Sequence, residues 1–118
     1  MITDKLIDYI ITDIQTRVTK GDLGQGGNST YPNAESLDVA LGLGTNAVLT
    51  ESESSLNTIE FKITVQGNHI DGKVIREAGL LDSSDNLLQR VNFDGIGPIA
   101  TTDTLEIFIL VEVEWYGK

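Results

Sequence analysis

Apolar residues in the first segment recur every three or four positions. Leu6, Ile7, Ile10, Ile11, Ile14 and Val18 share one stripe, which predicts a helix over 3–18. Thr3 is placed to cap its start. Asp4 and Asp8 suit the positive end of a helix, Arg17 and Lys20 the negative end. Gly21 is the expected stop. Residues 21–36 (GDLGQGGNSTYPNAES) carry no period and predict a long flexible loop, with Tyr31-Pro32 as its bulky anchor.

From Leu37 the period becomes two. Leu37, Val39 and Leu41 alternate with Asp38 and Ala40, a short strand ended by a turn over 42–46 (GLGTN). Residues 50–55 (TESESS) read as a polar connection. Ile59, Phe61, Ile63 and Val65 alternate with Glu60, Lys62 and Thr64, the pattern of a half-buried strand ended by Gly67-Asn68. Segments 74–81 and 87–93 are strands around 82–86 (DSSDN), where Asp and Asn tolerate a left-handed turn, and so form a hairpin. Residues 94–98 (DGIGP) break the chain again. A long strand over 104–115 places Leu105, Ile107, Ile109, Val111, Val113 and Trp115 on one face; Phe108 and Leu110 lie on the other, between Glu106, Glu112 and Glu114. One helix followed by short antiparallel strands predicts a mainly β, jelly-roll-like sandwich, with 1–118 a single domain and 37–118 its β part.

Composition narrows the function more than the fold. The 118 residues leave about 6,300 Å² exposed when folded, against about 18,600 Å² unfolded, enough burial for a core without staples. Cysteine is absent, which removes disulfides and thiolate metal sites. No apolar run approaches a membrane span, and Met1 to Lys5 lacks the pattern of a secretory signal. Eighteen acids against eight bases give a net charge of −10. That balance speaks against direct nucleic-acid binding and against an anionic membrane, because both need clustered Lys and Arg. Lys73 and Arg76 sit close together, but Asp71 and Glu77 flank them.

The candidate chemistry is sparse. Gly42-Leu43-Gly44 lacks the third glycine, helix and acid of a dinucleotide loop, so it reads as a turn. His69 has no glycine-flanked serine elbow to work with, and Asp71 is its nearest carboxylate; an exposed loop histidine is expected. Asp82, Asp85 and Asn86 lack the spacing and closing glutamate of an EF-hand loop, and turn formation accounts for them. Glu112 and Glu114 would stand about 7 Å apart on one strand face, a spacing any acidic strand has. Glu77 is more informative. It sits in an otherwise apolar strand, where an unpaired charge costs several kcal/mol. It is expected to hold backbone N–H groups or an arginine such as Arg90, an architectural role. No catalytic residue, metal or cofactor is expected.

Two stretches carry a family resemblance. Leu37-Asp-Val-Ala-Leu-Gly-Leu-Gly-Thr-Asn-Ala-Val, followed by a Ser/Glu run to Leu56, resembles the ALGTGT opening of a family of tailed-virus structural proteins. Ile75-Arg-Glu-Ala-Gly-Leu-Leu-Asp, then Asn86-Leu-Leu-Gln-Arg-Val-Asn-Phe, resembles that family's I-x-E-x-G-L-F-D hairpin, with Glu77, Gly79, Leu80 and Asp82 at the motif positions. Leu81 replaces the usual aromatic, and Asn86 stands where glycine is common. Pro98-Ile99 and the strand ending Glu114-Trp115 complete a resemblance covering about 37–115. The family comprises tail-collar fibre, tail and other virion proteins of phages and archaeal viruses. The resemblance implies a non-enzymatic tail, baseplate or fibre-attachment protein, located in the virion and assembled in the host cytoplasm. The alternatives are a capsid decoration or neck protein, and a receptor- or carbohydrate-binding β-sandwich. Its partners would be other virion proteins and itself, a trimer before other states, with Ile10, Ile14, Phe108 and Leu110 at the interface.

Overall fold

A computed structural model describes residues 2–27 and 36–114 of the chain. Helix α1 spans Asp4–Arg17, and the Thr3 hydroxyl caps it by accepting the Leu6 N–H at 3.4 Å. Its buried stripe is narrower than the spacing suggests. Ile7 and Ile11 are buried and Ile14 packs partly against the core, whereas Leu6 is 45% exposed. Gly21 does not end the helix: the chain is already extended at Val18 (φ −80°, ψ 106°).

Gly21 belongs to a strand, which corrects the expected loop. β1 (Lys20–Gly24) runs antiparallel to β4 (Ile75–Leu81), pairing Gly21 with Leu80 and Gly24 with Glu77. A Cβ on Gly21 would lie 2.6 Å from Ile63 Cγ1, so glycine lets this strand press onto the opposite sheet. Beyond Gly24, the Gln25 N–H donates to the Val39 carbonyl and the Gly26 N–H to Glu77, and the centre of the expected loop, 28–35 with Tyr31-Pro32, lies outside the described residues.

Two further boundaries differ. The stretch 37–41 is no regular strand, for it makes a single bridge between Ala40 and Gly24. Leu37 is buried, but Val39 is 52% exposed, so the alternation there does not mark a buried face. The polar 50–55 stretch is no connection either. It lies in β2 (Ala47–Ser55), which forms a hairpin with β3 (Thr58–Gln66). β2 sits at a sheet edge, where pairing to an apolar neighbour carries polar side chains without burying them.

The remaining strands fall near their predicted places. β5 (Leu87–Ile96) pairs with β4 across the 82–86 turn, running three residues past Phe93. β6 (Thr104–Glu112) pairs with β3, with Phe61 opposite Ile109 and Ile63 opposite Ile107. Val113 and Glu114 lie beyond it, and Trp115 falls outside the described residues. Two antiparallel sheets result, β1-β4-β5 and β2-β3-β6, with one N-terminal helix: the expected mainly β architecture, in a sandwich-compatible arrangement. Ile59, Phe61, Ile63 and Val65 are fully buried between the sheets, and Ile7, Ile11, Leu23, Ile75 and Leu80 join them.

Candidate functional site

The most built polar feature is a carboxylate knot around Glu77. Its side chain is 0% exposed in an apolar strand, so its charge must be met by hydrogen bonds. Oε2 accepts the backbone N–H groups of Gly26 and Val39, and Oε1 that of Asp38, each at 2.8 Å. Of the two partners expected for Glu77, the structure supplies backbone N–H groups. Arg90 pairs instead with Asp38, Nη1 to Oδ1 at 3.3 Å. Gly26 also makes room: a Cβ there would lie 2.7 Å from Glu77 Oε2.

A second carboxylate repeats the device two residues along β1 from Gly24. Asp22 Oδ1 accepts the Leu23 and Leu43 N–H groups, and Oδ2 accepts that of Gly42 at 3.0 Å. Together Asp22 and Glu77 staple the irregular 38–43 strap to β1 and β4. This explains why Leu37 to Leu41 alternate without forming a ladder. The Asp38 and Val39 N–H groups go to the Glu77 side chain, and only Leu41 N–H reaches a strand carbonyl, that of Leu23, a competition that turns and straps favour over sheet. The Gly42-Leu43-Gly44 turn has φ of +62° and +57° at its glycines, the left-handed backbone that a turn needs and a side chain resists.

The other motif residues are architectural in their contacts. Gly79 lies under Leu37 and Leu87, and a Cβ would come within 2.7 Å of Leu87 Cδ1. Leu80 is fully buried. Asp82 closes the β4–β5 turn. It accepts Asn86 Nδ2 and the N–H groups of Ser84 and Asn86, all at 2.9 Å. The Asn86 side-chain bond, reinforced by these N–H groups, holds the Asp82 carboxyl below its usual range.

The remaining candidates do not converge. His69 is exposed in a 3₁₀ turn over Gly67–His69. Glu106 and Glu112 are exposed along β6. Among the described residues, no three His, Asp or Glu side chains are grouped to hold a metal ion. Ile14 packs towards the core, whereas Phe108 and Leu110 stand on the outer face of their sheet, each 57% exposed. Ile10, the fourth residue of the expected interface, is half-buried on the helix. A groove of about 670 Å³ opens where β1 meets the 42–45 turn and the start of β2, walled by Lys20, Gly21, Thr45, Val48 and Leu49. Among the described residues no aromatic lines it. Sequence reasoning missed this groove because β1 itself was hidden in a glycine-rich stretch.

No family model, curated protein or solved structure matches the chain.

Proposed function

We propose that the chain is a non-enzymatic structural protein of a tailed virus, in the tail, baseplate or fibre attachment. One observation carries the reading. Glu77, Gly79, Leu80 and Asp82, which carry the resemblance to tail-collar proteins, all act on the protein's own backbone or core. Glu77 in particular binds three backbone N–H groups from two segments of the chain and presents no oxygen to a substrate. Chemistry spent on holding a shape suits a part whose work is to be positioned. Purified particles from the encoding genome test this by mass spectrometry and a cryo-EM map. The expected result is a stoichiometric copy number and density for two three-stranded sheets on the tail. Density on the capsid shell or neck would select the decoration alternative. Absence from particles would overturn the reading.

The groove beside Lys20 favours a second reading, a receptor- or glycan-binding module. Sugar sites commonly stack rings on aromatic side chains, and among the described residues this groove has none. Saturable glycan-array binding lost on Val48→Asp would support that module over the structural role.

A further inference from the structure

Two three-stranded sheets have four edge strands, here β1, β5, β2 and β6. Three edges are interrupted. On β1 the strap takes the outward groups: Leu41 N–H donates to the Leu23 carbonyl and Gln25 N–H to that of Val39. β2 keeps one register from Ala47 to Glu53 and slips before Ser55, at its hairpin end, so its regular edge is shorter than that of β6. The ladder of β5 with β4 slips twice, between Ile75 and Glu77 and between Leu80 and Leu81. Such interruptions are how natural sheets keep an edge from pairing with another chain. β6 has none. Its nine residues pair with β3 in one unbroken register, from Thr104 opposite Gln66 to Glu112 opposite Thr58.

The direction of its free backbone groups follows from two bonds. Val113 N–H donates to the Asn57 carbonyl, and Gly67 N–H donates to the Asp103 carbonyl. Odd-numbered residues thus turn towards β3, and alternation turns the N–H and C=O groups of Thr104, Glu106, Phe108, Leu110 and Glu112 outward. Among the described residues no strand pairs with that side.

We propose that this edge pairs with the β6 of a second copy, antiparallel about a twofold axis through Phe108, fusing two three-stranded sheets into one of six. A row of alternating donors and acceptors is matched by another extended backbone, and the side chains choose which. With the axis at Phe108, that residue meets its own mate, Glu106 faces Leu110 and Glu112 faces Thr104. An axis at Ile109 would set Glu106 opposite Glu112 twice, and like charges directly opposite are destabilising. An axis at Ile107 would leave Glu112 unpaired and separate the phenylalanines. On the inner face the chosen register sets Leu105 beside Val111 of the second copy; both are only half-buried in the single chain. The contact is isologous, and it makes a dimer in place of the expected trimer. It does not depend on the virion assignment.

Light scattering on the full chain at high micromolar concentration tests it. The expected mass is twice that of one chain, with the dimer fraction rising with salt as screening relieves repulsion between two bodies of net charge −10. Leu110→Pro removes an N–H that points outward and leaves the β3 ladder whole, so it gives a folded monomer. Position is checked with single cysteines in a chain that has none. Phe108→Cys sits on the axis and crosslinks through a short bis-maleimide. Leu110→Cys lies about 14 Å from its mate and does not. A wild-type monomer or trimer, a dimer unchanged in folded Leu110→Pro, or equal crosslinking at both positions would each overturn the proposal.

Discussion

Glu77 and Gly24 stand directly opposite each other in the β1–β4 ladder, and the carboxylate of one occupies the space the other leaves by having no side chain. A Cβ on Gly24 would sit 2.5 Å from Glu77 Oε2. The strap and the two strands therefore meet at a single carboxylate. The glycine that hides β1 in the sequence is the residue that admits it.

Glu77→Ala should destabilise the fold by about 3 kcal/mol or more, because it abandons three backbone N–H groups, each worth about 1–3 kcal/mol when left unpaired in the interior. Glu77→Gln should lose less. Its one oxygen can still accept from Gly26 and Val39, but its amide meets the Asp38 donor. Gly24→Ala should cost about 1–3 kcal/mol by overpacking, and distinctly less in the Glu77→Ala background, where nothing remains to clash. Denaturant unfolding of Glu77→Gln and of the four-protein cycle of Glu77→Ala and Gly24→Ala checks these values, and additive effects in the cycle would contradict the shared space.

The Asp82 carboxyl sets an acid-range signature. Its pKa is lowered in the folded protein from an unfolded value near 3.8. The ionised form is thus favoured by folding. Its contribution is fully present above that unfolded value and fades as pH falls through the lower folded one. Asp82→Asn keeps an acceptor but no charge, so the stability gap between wild type and variant should shrink on acidification below pH 3.8. An NMR titration of Asp82 with a midpoint at or above the ordinary value would contradict the turn geometry.

Within the same turn Asp85 has φ of +63°. Its bond to Lys20, 2.8 Å between exposed groups, contributes about 0–1 kcal/mol. Asp85→Gly should therefore be near neutral, since relief of the left-handed backbone offsets the lost pair. Asp85→Val should cost about 1–2 kcal/mol, because a β-branched side chain resists this conformation. Thermal unfolding of the two variants separates backbone from charge: equal losses in both would assign the effect to the ion pair.

What was legible in the sequence follows burial pattern. β3, β4, β5 and β6 carry side chains that alternate or run apolar, and their presence and pairing across the 82–86 turn could be read directly. β1 and the second half of β2 could not. Gly21, Asp22 and Gly24 look like loop residues, yet each is placed by a long-range contact, with Ile63, with the Gly42 and Leu43 N–H groups, and with Glu77. The 50–55 stretch is polar because an edge strand can be. Glu77 was found because a charge amid apolar neighbours demands partners. Which partners it has depends on the strap at 38–39, thirty-eight residues and more away in the chain, and no local pattern encodes that.

The helix offers the last test, because its two faces make different promises. Ile7 and Ile11 are 1% exposed against the sandwich core, one turn apart, while Leu6 beside them is 45% exposed. Spacing alone treats all three as one stripe. Burial separates them: a core isoleucine truncated to alanine loses its transfer energy and leaves a cavity, together about 2–5 kcal/mol. Ile11→Ala should fall in that range, and Leu6→Ala should stay within about 0.5 kcal/mol of wild type. If α1 docks as a unit, Ile11→Ala should also raise hydrogen exchange along Asp4–Arg17 more than in β3 or β6. Equal destabilisation by the two alanines would mean that Leu6 is covered in solution, by another copy or by a neighbouring protein.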